Sequence, residues 1–227
     1  MFMQKKSNRG KNATRFFAPF LIAYFVGFPV VPVMALPQGE SVRNGRVQFK
    51  QFGNTMVVLQ QSGSAVVNYN SFNIGGGETV RFIQPSSSAA ILNRVTGGGR
   101  STIAGNLLAN GQVYLINQNG ILFSGSARVN VGGLVASGLN MSDSDFFARN
   151  LRFSGGGGSV INQGSIRAGR VTLVGSDVEN YGSISAGKVT LAAGNSVVID
   201  RVLGGDIRIT IDGVEQPELS SIDLSLA

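Results

Sequence analysis

The chain has 227 residues, 32 of them Gly, and contains no Cys, His or Trp. Missing Cys excludes a disulfide framework and a thiolate metal site, and missing His removes the usual general base and the commonest metal ligand, so no enzyme and no cofactor is expected. Of the formal charge of +7, five positive charges come from Lys5, Lys6, Arg9, Lys11 and Arg15; residues 36–227 hold 14 basic against 12 acidic side chains, which leaves no basic stripe for nucleic acid.

Residues 1–35 read as a secretory signal peptide. The basic block runs into the apolar stretch Phe16–Val33, and Val33-Met34-Ala35 sets small or modest side chains before a cut between Ala35 and Leu36. A transmembrane anchor is the alternative, but Pro19, Pro29 and Pro32 interrupt the stretch and no positive charge follows until Arg43.

From residue 42 to 145 the pattern is a ladder of short strands. Val47–Phe49, Met56–Leu59, Ala65–Val67, Thr79–Ile83, Gln112–Ile116, Gly120–Phe123 and Ala127–Val131 are strand-like, and Gly, Asn, Ser or Pro separates most of them. The glycine runs at 75–77, 97–99 and 155–158 read as turns or loops. None has the strand–GxGxxG–helix setting or the Lys of a phosphate loop.

Six blocks in this region are recognisable in order: Asn68-Tyr-Asn-Ser-Phe-Asn-Ile-Gly75, Phe82-Ile-Gln-Pro85, Leu92-Asn-Arg-Val95, Gly111-Gln-Val-Tyr-Leu115, Asn117-Gln-Asn-Gly-Ile-Leu-Phe123 and Val129-Asn-Val-Gly-Gly-Leu-Val-Ala-Ser137. Together they resemble the N-terminal secretion domain of two-partner secretion exoproteins, the filamentous-haemagglutinin family of Gram-negative bacteria, over roughly residues 38–150. The resemblance implies export through the Sec machinery, removal of the leader by signal peptidase, and capture in the periplasm by the POTRA domains of a dedicated outer-membrane barrel. The product would be secreted or held at the cell surface, as part of a haemagglutinin- or adhesin-type protein. It also implies which residues meet the transporter or build its motif turns: Asn68, Phe72, Asn73, Leu92, Asn93, Arg94, Asn117, Asn119, Gly120 and Ile121.

The family's signature is Asn-Pro-Asn-Gly-Ile, and this chain carries Asn117-Gln118-Asn119-Gly120-Ile121. Gln118 must find without a ring the φ that Pro would pre-set. Asn117, Asn119 and Gly120 have a plainer reading as turn formers, their amides bonding nearby backbone and Gly120 taking positive φ.

Beyond the ladder, Ser142-Asp-Ser-Asp145 before Phe146-Phe147 reads as a polar turn or helix cap. The alternative is a carboxylate pair of a polysaccharide-cleaving β-helix, with Asp200 and Asp206 as further candidates. Then Asn162–Leu173 returns as Asn180–Leu191, 18 residues on, and a worn third copy keeps Val202, Gly205, Ile207 and Ile209. Within each unit apolar and polar residues alternate with the period of a strand. A short fixed repeat means that each unit buries its apolar face only by stacking on its neighbours.

The fold expected is all-β: a right-handed parallel β-helix with an N-terminal cap and short extra strands, its coils about 4.8 Å apart. The expected divisions are 1–35 as signal peptide, 36–150 as the secretion domain, and 151–227 as 18-residue coils continuous with it. Asn162 and Asn180 are expected to stack one coil apart as a buried, hydrogen-bonded amide ladder. A rival reading is an exported β-helix adhesin that binds glycans or a host-cell surface directly.

Overall fold

The computed structural model describes residues 35–201, 207–212 and 214–215. Residues 1–34 of the expected leader, Val202, Gly205 and Asp206 lie outside them.

Two strands open the described part, β1 (Ser41–Asn44) and β2 (Val47–Phe52), and six coils follow. The first coil is β3 (Thr55–Gln60) and β4 (Ser64–Tyr69). The second is β5 (Thr79–Ile83), β6 (Ala90–Val95) and β7 (Ser101–Ile103), and the third is β8 (Asn106–Ala109), β9 (Gln112–Ile116) and β10 (Ile121–Phe123). The fourth begins with β11 (Arg128–Val131) and β12 (Gly133–Ser137). It is then interrupted by β13 (Leu139–Asn140), α1 (Asp143–Ala148) and β14 (Leu151–Gly156), and closes with β15 (Val160–Asn162). In the last two coils, β16 (Ser165–Gly175) and β18 (Ser183–Ala193) each run through two faces, with β17 (Val178–Asn180) on the third.

Three parallel ladders result. One face stacks β3, β5, β8, β11 and the first halves of β16 and β18. The second stacks β4, β6, β9, β12 and the second halves of β16 and β18, and the third stacks β7, β10, β15 and β17. The 18-residue repeat is one full coil: Ser165 pairs with Ser183 and Leu173 with Leu191. Earlier steps are longer. Thr79 pairs with Asn106, 27 residues on, and Asn106 with Arg128, 22 residues on, because their corners carry extra loop residues.

Alternate residues point into the tube. Val58, Val80, Phe82, Leu107 and Val129 line the first face, while Val67, Ile91, Leu115, Leu134 and Leu173 line the second, all nearly inaccessible. Open strand edges invite pairing with other chains. At the N-terminal end that edge is covered, because β1 lies antiparallel on β4 and β2 antiparallel on β3. Phe49 meets Tyr69 edge-on at 6.3 Å, which ties this cap to the core.

A second core sits outside the second face. Val66, Leu92, Tyr114, Ile116, Val135 and Val174 point outward and are covered by Leu139, Met141, Phe146, Phe153, Val197 and Ile199. Strands buried on both faces lose the alternating signature and read as continuous apolar runs. That is why Ala90–Val95 and Gly133–Ser137, every residue buried but Arg94, do not stand out by alternation.

The chain beyond 193 departs from the expected run of coils. β19 (Ser196–Arg201) pairs antiparallel with β14, and β20 (Ile207–Ile211) pairs antiparallel with β19, followed by the short β21 (Val214–Glu215). The worn third copy is thus corrected in its described part: Ile207 and Ile209 face Arg201 and Ile199 instead of extending the ladder from β18. Likewise Leu151–Gly156 belongs to the antiparallel cover. The hairpin buries Val197 and Ile199 against the outer core. The consequence shows on β18. Val189 and Leu191 are 43% and 45% exposed, whereas Val171 and Leu173, one coil earlier, are both at 0%.

Candidate functional site

The three motif segments Asn68–Gly75, Leu92–Val95 and Asn117–Ile121 converge at one corner of the solenoid. Asn68 is paired in register with Arg94, and Arg94 with Ile116, so their strands end together. The turns that follow stack coil on coil. A Cβ on Gly97 would stand 2.2 Å from the Asn70 carbonyl oxygen, so that loop lies against the previous turn. Asn119 Nδ2 donates to the Gly97 carbonyl at 2.9 Å, and Asn117 Nδ2 to the Gly99 carbonyl at 2.9 Å. On the far side, Ile121 N–H donates to Ser159 O at 2.9 Å, and the Ser176 hydroxyl continues the column to Gly157 O at 2.6 Å.

Asn117 is the buried pin of this column. It is at 0% exposure. Besides Gly99, its Nδ2 donates to Ser101 Oγ at 2.9 Å, while its Oδ1 accepts from Asn119 N–H at 2.9 Å. Gly120 N–H closes the turn on the Asn117 carbonyl at 2.9 Å, and Gly120 has φ +96°, which an L side chain rarely adopts. Gln118 therefore occupies the turn position that favours Pro. Gln118 and Asn119 are exposed, while Ile121 points into the core at 0%.

The other predicted residues divide in the same way. Phe72 is 1% exposed and stacks edge-on against Tyr69 at 5.2 Å. Leu92 belongs to the outer core, and Asn93, fully buried, donates to Tyr114 O at 3.1 Å. Asn73 is half-buried and accepts from Thr102 N–H at 2.8 Å. Asn68 is half-buried, with a buried Oδ1 that has no partner. Arg94 donates to Met141 O at 2.7 Å and pairs with Asp143 at 2.7 Å, fastening α1 to the solenoid. At the leader end, Leu36 is in the core and Ala35 is half-buried.

Asp143 and Asp145, two of the four carboxylates of the polysaccharide-cleaving alternative, are otherwise engaged, Asp145 Oδ2 accepting from the Ser142 hydroxyl at 2.5 Å. Asp143 holds Arg94, and Asp145 sits in the first turn of α1, where its N–H donates to the capping Ser142 hydroxyl at 3.0 Å. Asp200 faces Arg208 across the antiparallel hairpin. The expected amide ladder is present in part: buried Asn162 donates its Nδ2 to Asn180 Oδ1 at 2.7 Å, but Asn180 is exposed, because β17 is the end strand of the third face. Sequence reasoning missed Glu78, a buried carboxylate between coils one and two whose signal, a lone acid in a Gly-rich turn, is faint. Burial, with a smaller push from the Glu40 carboxylate, holds the Tyr69 hydroxyl far above the usual phenol range.

The chain matches the TPS secretion domain over residues 33–225. It belongs to that family. The TPS domain is 36% identical over 154 residues to a heme/hemopexin-binding protein of Haemophilus influenzae strain Rd, a match covering 64% of this chain and 17% of that protein. A second Haemophilus influenzae heme/hemopexin-binding protein is 41% identical over 102 residues, 44% of this chain and 11% of that one. The chain thus spans less than a fifth of the length of these relatives. Among solved structures, the HMW1 secretion domain from Haemophilus influenzae superposes with a TM-score of 0.71 at 34% identity, covering 77% of this chain and 49% of that one. The filamentous hemagglutinin secretion domain, at 20% identity, shares the fold with a TM-score of 0.54 over 72% of this chain and 64% of that one. The TPS domain is a secretion domain of exoproteins that cross the outer membrane of Gram-negative bacteria.

Proposed function

We propose that this TPS domain is the export ticket of its polypeptide, read in the periplasm by the POTRA domains of a cognate outer-membrane barrel. Sec delivers the chain, signal peptidase cuts between Ala35 and Leu36, residues 36–150 carry the recognition signal, and the coils after them follow it out. The observation that carries this reading is the motif corner. Three family segments, far apart in the chain, stack there into one column whose buried members (Asn117, Gly120, Ile121) hold its exposed members (Gln118, Asn119) in a defined turn. The transporter then reads Gln118, Asn119 and the backbone around them. The protein outside the cell is part of an adhesin-type exoprotein with a host-cell surface or glycan as its target.

Expression with and without the barrel, followed by blotting of periplasm and medium, tests the reading. Transporter-dependent appearance in the medium is expected, and Asn119→Ala should reduce it while the periplasmic pool stays folded. Equal periplasmic retention with and without the barrel refutes it.

A further inference from the structure

Glu78 is a carboxylate inside the protein, 5% exposed. It ends the turn that leads from the first coil to the second, its N–H donating to the Gly75 carbonyl at 3.0 Å. Its two oxygens accept from two backbone N–H groups: Oε2 from Gly75 at 2.6 Å, and Oε1 from Ala35 at 2.8 Å. Among the described residues no Lys or Arg side chain forms an ion pair with Glu78. A buried charge is costly unless an opposite charge answers it.

Ala35 is the residue on the leader side of the proposed cut. Hydrolysis of the Ala35–Leu36 peptide bond consumes one water, removes Ala35 as the carboxylate end of the leader, and leaves Leu36 with an α-ammonium group. The cut therefore takes away one of the two neutral donors to Glu78. It creates a cation one residue further along the same backbone, a step of about 3.8 Å between Cα atoms. That new terminus is held in place. The Leu36 side chain is 4% exposed in the main core, and Gln38 bridges to Ser71, its N–H donating to Ser71 O at 2.9 Å. The carboxylate lies close against Gly75, where a Cβ would stand 2.9 Å from Glu78 Oε2 and 3.6 Å from Ala35 Cβ.

We infer that Glu78 is the receptor for the mature amino terminus: once the leader is removed, the Leu36 α-ammonium pairs with the Glu78 carboxylate and locks the N-terminal end of the first coil. The inference rests on the cut between Ala35 and Leu36 proposed above. An uncut chain offers Glu78 only an amide N–H, whereas a cut chain offers a full positive charge. The domain is accordingly held more firmly after processing than before it, and a chain still tethered by its leader is looser where it enters the fold.

The test uses the exported, processed chain. Its amino terminus is sequenced, and its α-amine is acetylated in urea near neutral pH. There it reacts ahead of Lys50 and Lys188, because the ordinary pKa is about 7.7–8.0 for an α-amine and about 10.4 for lysine. Modified and unmodified chains are refolded and unfolded side by side, in wild type and in Glu78→Gln. The sequence should begin at Leu36, and acetylation should lower the folded-to-unfolded ratio of wild type about tenfold, the equivalent of one unit of differential pairing, while leaving that of Glu78→Gln unchanged. Equal losses in both proteins, or none in either, overturn the pair and leave the cut standing. A chain that begins elsewhere overturns both. Should Glu78→Gln fail to fold, wild type alone decides: pairing moves the midpoint of the pH–acetylation profile of the native amine above that of the unfolded chain, and coincident profiles overturn the inference.

Discussion

Replacing Asn117 by Ala separates the scaffold of the motif corner from its exposed face. The side chain makes three bonds of 2.9 Å, to Gly99 O, Ser101 Oγ and Asn119 N–H, and the site is at 0% exposure. Water cannot replace those partners without opening the corner. At about 1 kcal/mol net per hydrogen bond, Asn117→Ala should cost about 3 kcal/mol. In urea this appears as a lower midpoint with an unchanged slope. Asn119→Ala removes one exposed bond to Gly97 O and a longer one of 3.3 Å to Asn117 Oδ1, so it should cost under about 1 kcal/mol. Secretion should then fall in both variants for different reasons: with loss of the folded domain in the first, with the domain intact in the second. A loss below about 1 kcal/mol for Asn117→Ala would refute the reasoning that this residue pins the column.

Three further outcomes follow from the same geometry. Gln118→Pro places a pre-set φ at the second position of a turn already closed by Gly120 N–H on Asn117 O, and should raise stability by about 0.4–1 kcal/mol in urea unfolding. Tyr69→Phe deletes a buried hydroxyl that has no partner and should stabilise at neutral pH by about 1 kcal/mol. Because the folded Tyr69 is pushed above its unfolded value of about 10, its contribution is full below pH 10 and is lost as pH rises beyond it. Alkaline unfolding should therefore begin at higher pH in the Phe variant. Gly138→Ala would put a Cβ 1.8 Å from Gly158 O, where the two ends of the insertion in the fourth coil touch backbone to backbone. It should cost about 3 kcal/mol or more and collapse the yield of folded protein.

Much of the fold was legible because solenoid coils repeat their physics locally. The copy from Asn162–Leu173 to Asn180–Leu191 is a register of 18, and the ladder pairs Ser165 with Ser183 on that spacing. Thr79–Ile83 alternates because one side faces the tube and the other a more polar environment, and its strand limits, like those of Gln112–Ile116, come out as read. Ser142 caps α1 because an N-cap is a four-residue affair.

What tertiary structure alone decided is which strand meets which. Ile207–Ile211 alternates as cleanly as Val189–Leu191, yet one lies antiparallel on β19 and the other parallel on β16. Alternation specifies a pleated surface with one apolar side and says nothing of the neighbour's direction. The strands Ala90–Val95 and Gly133–Ser137 lost their pattern because a cover that includes Leu139, Phe146, Phe153, Val197 and Ile199 buries their second side. Likewise, Glu78 reads as an ordinary acid in a glycine turn until the fold brings Ala35, 43 residues earlier, to within 2.8 Å of it. Sequence determines each local conformation through contacts a few residues long; partners tens of residues apart are chosen by the burial that only the assembled coils provide.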